Sequence, residues 1–253
     1  MHSQTYEGRS RIQLLRQSKI KMKQVIFFTV FLFISICGFS QFERSDIIEK
    51  KIRSVSKTRY LITDTANKEV IQTFFSRNGD DSLTYYDGVL EFRFVATKDK
   101  DGNVIKLVRY DSRNQEDEWH TYKYNKNGSY SIEIIAQGAG TISLARYDKK
   151  NLCTEEEVES SYTLVYVRNA NGKTEKILSK DKDNKTETIA MFYFDKNGLA
   201  IKGEGTTEGG KTVYFKYNDK RLVSEVKTVE KDENDKEQTE IVLLTYEFYE
   251  NQD

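Results

Sequence analysis

The sequence contains no proline, two cysteines and two histidines among its 253 residues. Each scarcity excludes something. Without proline, chain reversals must come from glycine, asparagine and aspartate. Cys37 lies in an N-terminal apolar run, so beyond it Cys153 stands alone and no intrachain disulfide can form. Past His2, His120 is the one histidine, which rules out a multi-histidine metal site and any HExxH helix. Charge of one sign is also lacking: 40 basic residues face 40 acidic ones, so no basic excess draws nucleic acid, and no nucleic-acid partner is expected.

What is present begins near the N-terminus. Lys21, Met22 and Lys23 precede Val25 to Phe39, an apolar run broken only by Thr29 and Ser35, and Gly38-Phe39-Ser40-Gln41 follows. A basic start, a short apolar core and small residues at a cut site describe an export signal. The expected organisation is residues 1–21 as an untranslated or extended leader, 22–40 as signal peptide cleaved between Ser40 and Gln41, and 41–253 as one domain. Met22 suits the start better than Met1. The run is too short to span a bilayer, so the mature chain is expected to have no transmembrane segment. Cys37 follows bulky Ile36, which does not suit a lipidation signal. Removing residues 1–40, with Arg9, Arg11, Arg16, Lys19, Lys21 and Lys23 against Glu7, leaves a mildly acidic chain.

The 16 tyrosines and 14 phenylalanines argue for a packed fold. Ser45 can cap a helix over residues 45–57, with Ile48, Ile52 and Val55 at helical spacing. From about 60 to 250 the pattern is of strands. Phe92 and Phe94 share a face, as do His120, Tyr122 and Tyr124; Ile132 and Ile134; Tyr162, Leu164 and Tyr166; Phe192 and Phe194; and Val213, Phe215 and Tyr217. Arg93, Lys123, Glu133, Thr163 and Lys216 fall on the other face. Such alternation means one face buried and one wet.

The strands share a punctuation mark, seen in Tyr124-Asn125-Lys126-Asn127-Gly128 and Phe194-Asp195-Lys196-Asn197-Gly198. Looser copies lie at Phe75–Gly79, Lys98–Gly102, Tyr147–Asn151, Val167–Gly172 and Tyr217–Arg221. Asp or Asn first and Gly fourth describe a type I turn closed by a left-handed residue, a common hairpin connection. Several copies recur at about 21–26 residues, which reads as one hairpin per repeat. The pattern predicts a mainly β fold: an antiparallel meander of hairpins, as a twisted sheet, an open half-barrel or a β-repeat array, with one short N-terminal helix. The pattern places no internal boundary: the polar stretch Lys180 to Thr188 is the best candidate, but hairpin turns explain it equally well.

These turns resemble the tyrosine-aspartate repeats of RHS-type β-repeat proteins and the aromatic-Asp-x-Asn-Gly repeats of exported Bacteroidota proteins. The resemblance covers roughly residues 70–250. It implies a β-repeat architecture in the envelope or outside the cell, and no catalytic residues.

No constellation names a reaction, and no catalytic, cofactor or metal site is expected. His120 sits mid-strand on an aromatic face, where it packs. Cys153 has no nucleophile motif around it. Asp99-Lys100-Asp101-Gly102 matches part of a calcium loop but lacks its first ligand and its bidentate glutamate. Glu155-Glu156-Glu157 reads as an exposed edge rather than an acid/base pair. Trp119, Tyr85 and Tyr86 are the candidate contacts for a ligand or partner. Three functions follow in order: an exported binding module, with a cell-envelope protein, glycan or lipid as partner; a periplasmic half-barrel carrier of lipid or lipoprotein; and an extracellular hydrolase. A deep apolar cavity would favour the carrier, a filled core the module.

Overall fold

The computed structural model describes residues 47, 49–79, 81–159, 161–206, 210–231 and 236–250. The signal peptide, its cleavage between Ser40 and Gln41, the choice of Met22 and the fate of Cys37 all lie outside them.

Sixteen antiparallel strands follow one another around a closed barrel. They are β1 (Ile52–Leu61), β2 (Asp64–Phe75), β3 (Ser82–Tyr86), β4 (Val89–Lys98), β5 (Val104–Asp111), β6 (Glu116–Tyr124), β7 (Tyr130–Ala136) and β8 (Gly140–Tyr147). Then come β9 (Cys153–Val158), β10 (Tyr162–Arg168), β11 (Thr174–Lys180), β12 (Thr186–Phe194), β13 (Ala200–Gly205), β14 (Thr212–Tyr217), β15 (Val223–Lys231) and β16 (Glu237–Phe248).

Two expectations are corrected here. No helix reaches Lys57: from Ile52 the segment is β1, with Ile52 and Val55 buried in a strand. Helical spacing of three apolar residues lost to pairing on both sides, with β2 and with β16. The sheet is not an open half-barrel, because β1 registers with β16 from Ile52↔Phe248 to Leu61↔Glu240. That pairing closes the wall and leaves no edge strand among the described residues. Within the polar stretch Lys180 to Thr188, residues 181–185 form the turn between β11 and β12.

One turn is used eight times. It opens at Asp99, Asp111, Asn125 and Asp148, and again at Asn169, Asp181, Asp195 and Asn218. In each, the first residue exchanges backbone bonds with the fourth and fifth, as in Gly198 N–H to Asp195 O (3.0 Å) and Asp195 N–H to Leu199 O (2.9 Å). The fourth residue has positive φ every time: Gly102, Asn114, Gly128, Asn151, Gly172, Asn184, Gly198 and Arg221. Glycine and asparagine tolerate that region; arginine does not readily.

The second set of four turns lies 70 residues after the first. The same offset carries the end of β4 (Lys98) to the end of β10 (Arg168), β5 to β11, β6 to β12, β7 to β13, β8 to β14 and β9 to β15. It matches Lys106 with Lys176, Asp111 with Asp181, Asn127 with Asn197, Tyr147 with Tyr217, Leu152 with Leu222 and Glu155 with Glu225. The barrel therefore contains a duplicated six-strand unit, and the shorter interval read from the sequence is only part of its period.

Register assigns every strand a face. Inward, Val55 faces Thr73, Thr84 faces Phe92, Leu107 faces His120, Tyr122 faces Ile132, Ala145 faces Glu156, Ile177 faces Ala190, Gly203 faces Val213 and Val226 faces Val242. Val55, Leu164, Ile177, Ala190, Val213 and Leu244 on this face are buried. The aromatic and aliphatic faces read from the alternation are this inner face. Arg93, Lys123, Glu133 and Lys216 point outward.

Candidate ligand-binding site

The inner face joins apolar side chains into a continuous surface. About eight strands make a barrel that side chains just fill, and barrels of sixteen leave room within. The accessibilities agree. Phe92, Phe94, Leu107, Tyr122, Tyr130, Ile132, Ile134, Tyr166, Phe192 and Phe215 face inward yet remain half-buried, not sealed.

An aromatic band runs along this face from β4 to β8. Phe92 meets Phe94 edge-on at 5.6 Å, and Phe94 meets His120 at 5.5 Å. Tyr122 stacks with Tyr124 at 6.5 Å, Tyr124 tilts against Tyr130 at 5.4 Å, and Tyr130 stacks flat on Tyr147 at 4.7 Å. Tyrosines before two of the turns are pinned by their hydroxyls. Tyr124 Oη donates to the Val104 carbonyl at 2.9 Å, as Tyr217 Oη does to Ala200 at 2.8 Å. At these two turns the preceding tyrosine thus anchors its strand end to the neighbouring strand.

Polar groups interrupt the lining at several places, three of them with perturbed or tightly paired charges. Glu156 is almost fully buried and accepts from Ser143 Oγ (2.7 Å) and Tyr166 Oη (3.0 Å). Burial pushes its carboxyl above the usual range, against the two hydrogen bonds. Nearby, burial and the Glu156 charge push Tyr162 up to about 12. Lys57 lies between Ile71 and Leu244, and burial pushes its ammonium down to about 8. Arg109 forks onto Asp117 (2.8 and 3.0 Å) and reaches Glu118 at 3.1 Å, while Glu118 also meets His120 Nε2 at 2.7 Å.

The residues singled out in the sequence scatter. Trp119 and Tyr85 point outward, Trp119 donating to Glu116 Oε2 at 2.8 Å and Tyr85 packing edge-on to Phe74 at 5.8 Å. Tyr86 closes β3 opposite Ile71 and Val89 and is exposed. The structure does not bring these three together. Cys153 opens β9 opposite Tyr147, with its thiol 3.5 Å from the Glu155 carbonyl. Glu155-Glu156-Glu157 is not an edge: β9 pairs with both β8 and β10, and only Glu155 and Glu157 face out. Alternation alone, applied to that triplet, would have found Glu156.

The calcium-like turn is explained by its own bonds. Asp99 Oδ1 accepts from the Asp101 and Asn103 N–H groups at 2.9 Å each. Asn169 and Asn218 make the same pair of bonds with neutral amides. The turn needs an acceptor, not a charge. Among the described residues no group of three or more His, Cys, Asp or Glu side chains is placed to hold a metal ion.

The outer face carries the charges. Lys123 pairs with Glu133, Arg146 with Glu155, Lys202 with Glu204 and Lys216 with Glu225. A barrel that lives in lipid needs the opposite, an apolar band outside and polar groups within.

No protein-family model matches the chain, and no curated protein matches it in sequence. Among solved structures, a porin-like protein from Bacteroides uniformis is similar at 11% identity, covering 78% of this chain and 97% of that one, with a TM-score of 0.39. The Tc holotoxin pore of Photorhabdus luminescens matches at 8% identity and a TM-score of 0.27; 73% of this chain is covered, which spans 15% of the toxin chain. A LolA superfamily protein from Nitrosomonas europaea matches at 8% identity over 85% of this chain and 94% of its own, with a TM-score of 0.25. At these scores none of the three carries the functional argument, which rests on the barrel itself.

Proposed function

We propose that the chain is an exported, non-enzymatic carrier that holds a lipid, or the acyl chains of a lipoprotein, against the inner face of its barrel. The observation that carries this reading is the combination of a closed sixteen-strand wall, an apolar and aromatic inner face that stays partly accessible, and a charged outer face. An apolar molecule inside gains contact with surface that otherwise faces water, at roughly 25 cal/mol per Å² buried. The binding-module reading placed first from the sequence fits less well. A module that works through its aromatic face must offer that face to a partner, and here the wall encloses it. The export signal supports a site in the envelope or beyond it.

The test is the chain recovered from its native envelope and examined by native mass spectrometry. A bound mass released by organic solvent, and identified as acyl-containing, is the expected result. Recovery of the unmodified, ligand-free mass alone, in a chain that also takes up no acyl probe in solution, would refute the carrier.

A further inference from the structure

We propose that the outer face of β12 to β16 and β1 binds an anionic polysaccharide through a row of tyrosines and lysines. The row runs straight across six strands by register: Tyr193 opposite Lys202, Lys202 opposite Tyr214, Tyr214 opposite Lys227, Lys227 opposite Ile241, and Ile241 opposite Tyr60. Tyr193 and Tyr214 are 41% and 42% exposed, well above what a packing role needs. They stand two strands apart, about 10 Å, a span that an extended glycan covers with two sugar units. Tyrosine rings offer sugars an apolar face with a polar edge.

The charges between the rings suit an acidic polymer. Lys202 lies 5.4 Å over the Tyr193 ring, Lys227 lies 6.0 Å over Tyr214, and Lys68 lies 5.5 Å over Tyr60. Glu204 is the acidic member: it accepts from Tyr193 Oη at 2.6 Å and pairs with Lys202 at 2.5 Å, which holds both in place. Against Glu204, the three lysines over the rings leave the row cationic, on a chain whose 40 basic and 40 acidic residues balance.

The duplicated unit shows that the fold does not require this row. Seventy residues earlier, Lys123 stands where Tyr193 does, Leu144 where Tyr214 does, and Glu157 where Lys227 does. Those strands follow the same order, with β7 one residue out of register from β13 on both sides. Both units keep the β8–β9 type of ion pair, Arg146 to Glu155 and Lys216 to Glu225, but the first has Lys123 paired with Glu133 where the second has its tyrosine. The same hairpins are thus built with or without the tyrosine–lysine row. This site is independent of the barrel interior.

Affinity electrophoresis of the purified full chain tests it, in gels containing polygalacturonate or neutral dextran, with flotation on phosphatidylglycerol vesicles alongside. Polygalacturonate is expected to retard the chain, less so as salt rises, and dextran to have little effect. Tyr193→Ala and Tyr214→Ala should each weaken the retardation several-fold to about tenfold, and Lys227→Gln should flatten its salt dependence, with unchanged circular dichroism. Lys123→Ala, on the matching face of the first unit, should leave it intact. No retardation by polygalacturonate, equal retardation by dextran, equal behaviour of the tyrosine variants, or binding to vesicles alone would overturn the proposal.

Discussion

Glu156 shows how much one side chain can reveal about the barrel interior. It is a carboxyl on an inward face between Ala145 and Leu164, held by Ser143 and Tyr166. Because burial raises its pKa in the folded state, its stabilising contribution is greatest when it is protonated and is lost as pH rises through the folded value. Glu156→Gln keeps the shape and removes the charge. Thermal melts should show the variant as stable as the parent or better at pH 7, by about 1 kcal/mol, and should show the parent gaining on it as the pH is lowered and Glu156 takes up its proton. A large loss of stability at pH 7 would mean that the ionised form is the one the fold uses. Lys57 runs the other way. Its folded value is near 8 against an ordinary 10.5, so the unfolded chain binds the extra proton between them. Stability should rise from pH 8 to pH 10, by up to about 2 kcal/mol after solvent screening, and Lys57→Met should remove that rise. A melt that is flat over this range in the parent would contradict the burial of Lys57.

Individual hairpins explain why the β architecture was legible in the sequence and its closure was not. The turn is written locally. Asp195 caps two N–H groups with one oxygen, and Gly198 supplies the left-handed fourth residue, so five adjacent residues specify the reversal. Asp195→Asn should cost almost nothing, since Asn169 and Asn218 do the same work, whereas Asp195→Ala should cost about 1 kcal/mol in chemical denaturation. Arg221 is the exception among the fourth residues, with φ at 60°. Arg221→Gly should stabilise by about 1 kcal/mol, less the bond its guanidinium donates to the Asn197 carbonyl at 3.0 Å. Equal stability of all these variants would mean that the turns are held by the strands alone. The pairing of Lys57 with Leu244, by contrast, joins residues from opposite ends of the chain, and no local pattern encodes it. The same distance hid β1, whose apolar spacing reads as a helix until β16 is brought beside it. The 70-residue duplication was present in the sequence throughout. It was masked because its four turns fall at unequal spacings, and attention to one recurring interval passes over the longer one.

For the molecule as a whole, the decisive fact is which way the faces point. Alternation told two faces apart from the sequence but could not say that one of them would be enclosed. Closure turns a row of aromatics into a lining, and the outward charges set the barrel apart from one that faces lipid. The most direct test uses two adjacent residues of β7 that differ only in direction: Ile134 faces in, opposite His120 and Ser143, and Glu133 faces out, near Lys123. The measurement is a fluorescence titration of the purified full chain with cis-parinaric acid, a polyene fatty acid that lights up in apolar surroundings, with circular dichroism confirming the fold of each variant. The carrier account predicts saturable binding by the parent and by Glu133→Lys, and binding weakened at least tenfold in Ile134→Lys. No saturable binding by the parent, or equal binding by both folded variants, would contradict it.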